Sequence, residues 1–174
     1  MMRARILSEQ MIKMRFPHLR YVRIHSEGRH KVTVYAWNED LQLPDHDIRN
    51  LKQYASEYLN PYVCFKIKPY HLVQDDEVPQ LPELPDELQK KVLSRGLDQD
   101  EIMDTMNEMI PFGQLDYVDY DAETGTLHFE FHTERPIDSR EQELVGSYLS
   151  EMIPIGTLCA IEYQIRGDES KPGD

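Results

Sequence analysis

Residues 21–37 and 115–132 are written on one plan, and that duplication narrows the folds open to the chain more than any other feature. In LDYVDYDAETGTLHFEFH, two alternating runs flank an Ala-Glu-Thr-Gly turn, the pattern of a β-hairpin. Val118 and Tyr120 alternate with Asp119 and Asp121, and Leu127, Phe129 and Phe131 alternate with His128, Glu130 and His132. Successive strand side chains point to opposite faces, so the apolar set is expected on one face and the acids and histidines on the other. The earlier copy, YVRIHSEGRHKVTVYAW, turns through Ser26-Glu27-Gly28 and offers Val22, Ile24, Val32, Val34 and Ala36 as its apolar face.

The surrounding elements repeat as well. Leu7, Met11 and Met14 predict a helix over 3–16 that Pro17 stops, as Ile102, Met103, Met106 and Met109 predict one over 98–110 that Pro111 stops. Asp45 is expected to cap a helix over 45–59 carrying Ile48, Leu51, Tyr54, Ala55 and Tyr58; its counterpart covers 138–153. Strands are expected over 62–70 and 157–166. Aligned by pattern, five consecutive elements agree at offsets of 94 to 96 residues, and each slip falls in a turn. The expected fold is α+β: a tandem duplication of a helix-strand-strand-helix-strand unit, with helices packed on mainly antiparallel sheets and a pseudo-two-fold between units. One such unit alone is small and marginal, so two are expected to share a sheet or pack together.

The domains follow: 1–70 a first repeat, 71–97 a linker, 98–166 a second repeat and 167–174 a polar tail. The linker holds Asp75-Asp76-Glu77, then Pro79, Pro82 and Pro85, and reads as an extended acidic connector with a short helix over 86–95. The element order resembles small three-stranded modules of the K homology type and the ring-building modules of secretion and sporulation assemblies. The Gly-x-x-Gly loop with which K homology domains grip a nucleic-acid backbone has no counterpart here, and neither do the membrane anchors usual in ring-building proteins.

Charge separates the two copies. The net charge is −13, but residues 1–70 hold 12 Lys/Arg against 7 Asp/Glu, while residues 71–174 hold 7 against 25. A field this negative disfavours nucleic acid and anionic membrane for the molecule as a whole, though not for its first half alone. No apolar run approaches the roughly 20 residues of a membrane helix, and no membrane partner is expected. Two cysteines, Cys64 and Cys159, without a Cys/His cluster or a secretory signal core, lead to the expectation of a reducing cytoplasm. Their spacing of 95 residues suggests a pair, but strand alternation places them on different faces, as inert structural thiols.

Three constellations could carry chemistry. Tyr21, Arg23, Lys31, Tyr35, Trp37, Lys66 and Lys68 share the polar face of the first copy, joined by His25, Thr33, Tyr62 and Cys64. Cations interleaved with rings are what a single-strand nucleic-acid platform needs, though Tyr and Trp also favour strands for their own sake. His128 and Glu130, two apart on a strand, could offer two ligands to one metal. His132 lies about 13 Å from His128 along a strand, too far to complete the set, so a solvated polar face is the stronger reading. The many carboxylates fall on polar helix faces or in the linker, with no apolar setting to shift them toward acid–base work. No catalytic residue and no cofactor is nominated. The sequence favours a non-catalytic cytosolic interaction, adaptor or assembly protein with a protein partner or self-association as a dimer; single-stranded nucleic-acid binding and an enzyme with an unrecognised site are the alternatives.

Overall fold

The computed structural model describes residues 3–166. The first unit runs α1 (Arg5–Arg15), β1 (Leu19–Gly28), β2 (Lys31–Asn38), α2 (Asp45–Tyr54) and β3 (Cys64–Pro69), with a π-helical turn, Ala55–Leu59, continuing α2. A short helix α3 (Leu72–Asp75) and then α4 (Asp86–Ser94) lead to the second unit: α5 (Gln99–Met109), β4 (Gln114–Asp121), β5 (Thr126–Thr133), α6 (Ser139–Met152) and β6 (Leu158–Ile165). The fold is α+β with two three-stranded sheets, ordered β1-β2-β3 and β4-β5-β6. In each sheet the hairpin is antiparallel and the third strand pairs parallel to the second. The helix between those strands causes this, because a parallel pair needs a crossover. The polar tail at 167–174 lies outside the described residues.

The expected apolar face of the first hairpin is buried: Val22, Ile24, Val32, Val34 and Ala36 are all core. Two helices turn differently from their patterns. On α1 the buried positions are Ser8 and Ile12, preceded by Ala4, whereas Met14 is 74% exposed. Ser8 can be buried because its hydroxyl donates to the Ala4 carbonyl at 2.8 Å. On α2 the expected Leu51 and Ala55 are buried, but Asp47 and Leu59 complete the buried line in place of Ile48, Tyr54 and Tyr58, and Pro44 rather than Asp45 stands at the N-cap. The α6 helix opens with a capping box, Asp138 and Glu141 each bonding the other's backbone N–H.

A bulge at Val118 resets β4. Tyr117 pairs with Phe129 and the next pair is Asp119 with His128, so Val118 is the extra residue. Leu115, Tyr117 and Tyr120 thus oppose the inward Phe131, Phe129 and Leu127, while Val118 is exposed. The third strands also align differently from their pattern: Val32 pairs with Phe65 and Leu127 with Cys159, so Phe65 and Cys159 are the matching positions. Cys64 matches Leu158, and the two thiols are unrelated by the repeat.

The units are locked by exchange. Ala4 belongs to the core of the second unit, with Leu84, Leu88 and Val92 from the linker and α4. Ile155, from the loop before β6, belongs to the core of the first. The Ile155 amide donates to the Arg3 carbonyl at 2.9 Å where these two excursions meet.

Candidate interaction surfaces

The outer face of the first sheet collects the basic and aromatic residues in rows. Register places Tyr21 beside Trp37, Arg23 beside Tyr35, and Tyr35 beside Lys68, with Thr33 next to Lys66 and Lys31 next to Cys64. All seven candidates thus lie on one face, but they do not form one open platform. After β3 the chain turns back and residues 70–79 lie across the upper rows. The Tyr70 amide extends the ladder to Ala36 O at 3.1 Å. The rings of Tyr70 and His71 then pack on Trp37, with centroids 5.7 and 5.8 Å away, and Tyr70 also meets Tyr21 at 5.7 Å. Asp76 Oδ2 accepts from Tyr35 Oη at 2.7 Å and from Lys68 Nζ at 2.9 Å. Arg23 Nη2 donates to the Pro79 carbonyl at 2.8 Å. Tyr35 is left 1% exposed, while Lys31 and Lys66 remain open to solvent below the strap.

Electrostatics follow the contacts. Burial, then the bond to Asp76, pushes the Tyr35 hydroxyl well above the usual tyrosine range. The hydrogen bonds from Lys68 and Tyr35 hold the Asp76 carboxyl below its ordinary value. Burial lowers Arg23 and also lowers His25 beside it.

The matching face of the second sheet has no such cover among the described residues. His132 Nε2 lies 3.2 Å from Glu130 Oε2 and 3.4 Å from Asp116 Oδ2, and His128 stands opposite Asp119. His128 and Glu130 point to a shallow polar depression with Asp119 and Glu162. Among the described residues no group of three or more His, Cys, Asp or Glu is arranged to hold a metal ion.

Two features join residues too far apart in sequence to be read together. The first is a groove of about 830 Å³ between the units. One wall is His30, Asn60 and Tyr62; the other is Tyr117, Tyr120, Leu127 and Phe129, with Ile102 and Ile155 between them. Touching turns set the walls: the Arg29 amide donates to Thr124 O at 2.8 Å, and the Gly156 amide to Ser26 Oγ at 2.9 Å. Gly156, at φ +87°, passes so close to Val63 that a Cβ would lie 2.5 Å from its Cγ2. Tyr62 stands at the mouth, 82% exposed. The one signal in the sequence for this wall was the odd spacing of Tyr117 and Tyr120, which makes sense only with the bulge between them.

The second is an ion network between the units. Arg5 bonds Glu151 through Nε and Nη2, at 2.9 and 2.5 Å, and Glu9 through Nη1 at 2.9 Å. Glu9 also accepts from the Ile24 amide at 2.8 Å. Burial pushes Glu9 above its ordinary value even though Arg5 opposes the shift. The Arg5/Glu9 pair is visible as an i,i+4 spacing, but Glu151 is not. Elsewhere, burial raises the Cys159 thiol, which sits 3.3 Å from Ser150 Oγ, while Cys64 is exposed.

No family model and no curated protein matches the sequence. Solved structures do match. One is a structure of the PrgH periplasmic domain, 14% identical, with TM-score 0.29, covering 90% of this chain and 68% of that one. Two are periplasmic domains of the T3SS inner membrane protein PrgH from S. typhimurium, fragments 170–392 and 170–362. They are 12% and 13% identical, with TM-scores 0.33 and 0.32, and each covers 92% of this chain and 69% of that one. The cytoplasmic location expected from the thiols is corrected here: these neighbours are periplasmic domains, and two unpaired thiols on separate strands do not fix a compartment. No helix among the described residues is long and apolar enough to cross a membrane.

Proposed function

We propose that the chain is a protein-interaction and assembly module that seats an apolar segment of a partner protein in the groove between its two units. The carrying observation is the groove itself: about 830 Å³, walled by Tyr117, Tyr120, Leu127 and Phe129, with Tyr62 exposed at its mouth. That volume is in the range of binding sites, and tyrosines present both an apolar body and a hydroxyl to a partner. Rings of this kind dominate the energetics of protein interfaces. His30, Asn60, Gln99 and Thr157 supply the few polar groups that would orient the segment.

Peptide display on the full chain tests this reading. Selected peptides should carry apolar anchors, and Tyr62→Asp with Tyr120→Asp should abolish their binding. Peptides that bind this double variant as well as the native chain would remove the groove from the account. The second reading, single-stranded nucleic acid on Tyr21, Arg23, Lys31, Tyr35, Trp37, Lys66 and Lys68, ranks lower. Residues 70–79 would first have to leave that face, and the net charge of −13 opposes approach.

A further inference from the structure

The strap over the first sheet makes the contacts a bound peptide makes. One carboxylate, Asp76, receives two donors from the sheet, Tyr35 and Lys68. One main-chain carbonyl, that of Pro79, receives Arg23. Two rings, Tyr70 and His71, lie against Trp37. The surface beneath is built for burial, with Tyr35 at 1% exposure. What covers it is not: no residue of α3 is buried, and Asp76, Glu77, Pro79 and Gln80 are exposed. Segments with few buried apolar contacts open first in local unfolding. The fit is also incomplete, because the indole N–H of Trp37 is buried and finds no acceptor among the described residues. A buried donor without a partner is destabilising, and a better-fitting occupant would recover that loss.

We propose that the outer face of the first sheet is a peptide-binding site, that residues 70–79 are its resident intramolecular ligand, and that an acidic segment of a partner protein takes their place. The strap defines the chemistry of that segment: an aromatic ring five or six positions ahead of a carboxylate, followed by proline. Arg23, Tyr35 and Lys68 read the carboxylate and the main chain, and Tyr21 and Trp37 take the ring. A tethered strap competes at an effective concentration in the millimolar range, so the site answers in trans only when the strap is weakened or the incoming segment fits better. The site is separate from the groove and stands or falls without it.

The test uses the full chain and, as probe, a labelled synthetic peptide of residues 69–83. Asp76→Asn combined with His71→Ala loosens the strap without altering the face. Trp37, the single tryptophan, reports the opening as a red shift in emission. The double variant is expected to bind the peptide at least about tenfold more tightly than the native chain, with an affinity that falls as salt rises. Adding Lys68→Glu should remove that gain, as should Asp76→Asn within the peptide. Circular dichroism equal to that of the native chain shows that the variants fold, and Pro79→Gly with Asp76→Asn is the alternative loosening if one does not. A shifted Trp37 emission without peptide uptake overturns the proposal. So does an unshifted emission, because Asp76 and His71 then do not hold the strap. Preference for a single-stranded oligonucleotide over the peptide overturns the assignment of the occupant.

Discussion

The two units share their inner faces and differ on their outer ones. Inside, Val22, Ile24, Val34 and Ala36 occupy the places taken by Leu115, Tyr117, Phe129 and Phe131. Both sets lie against helices in the same order and both sheets have the same strand order. Outside, the first sheet is basic and aromatic beneath an acidic strap, whereas the second is acidic, with His132 held between Glu130 and Asp116 and no cover among the described residues. The inner face answers to packing and tolerates few alternatives; the outer face does not, and that is where the units differ. The charge split follows from this: the first unit is positive where the strap is negative.

The comparison breaks most severely at the lock between units. Arg5→Ala would leave Glu9 and Glu151 facing each other in a site where Glu151 is 8% and Glu9 13% exposed. Stability in urea should fall by about 3–5 kcal/mol, the usual cost of removing one partner of a buried ion pair. A loss below about 1 kcal/mol would mean that the units are joined by their cores alone. Gly156→Ala is next. With φ at +87° and Val63 in the way, it should cost about 1–3 kcal/mol and disturb the groove wall; a neutral result would contradict the close approach of the two loops.

The strap should respond to pH at both ends. Asp76 has a lowered value in the folded chain, so its contribution is complete above the ordinary Asp value of 3.8 and is lost as pH falls through the lowered one. Tyr35 is shifted up, so its contribution is complete below the ordinary tyrosine value of 10.0 and is lost as pH rises through the raised one. Lys66, Lys68, Arg23 and Glu27 share the face and modulate both ends. Trp37 emission should therefore shift in acid, as Asp76 is protonated, and again in alkali, as Tyr35 ionises; no shift at either end would mean that these two groups do not hold the strap. Smallest of all is Tyr62→Ala. At 82% exposure it should change stability by less than about 0.5 kcal/mol while weakening groove ligands, and a larger stability loss would show that Tyr62 is structural.

Much of the inner architecture was legible because alternation reports burial directly. Val22, Ile24, Val32, Val34, Ala36, Phe129 and Phe131 obeyed it, while Thr33 and Tyr35 on the polar face are buried as well. It failed at Val118, since a bulge inverts parity and leaves no mark in composition. It failed on α1 because a serine that bonds its own helix backbone can be buried while Met14 is not. On α2, Asp47 could turn inward because His18 lies 2.8 Å from it, a partner 29 residues earlier. The strap was hidden for a different reason. Residues 71–85 have the composition of a solvated linker, and only the three-dimensional return of the chain sets Asp76 against Tyr35 and Lys68. The groove draws on residues from His30 to Thr157 and has no local signature.

Oxidative footprinting of individual tyrosines tests the account most directly, because it reads the covered face of the first sheet and the open groove at once. In the native chain Tyr62 and Tyr120 should be modified rapidly and Tyr35 hardly at all. Asp76→Asn with His71→Ala should raise the rate at Tyr35 and leave that at Tyr62 unchanged. If Tyr35 is modified as fast as Tyr62 in the native chain, residues 70–79 do not cover the first sheet and the contrast between the two units is not the one described.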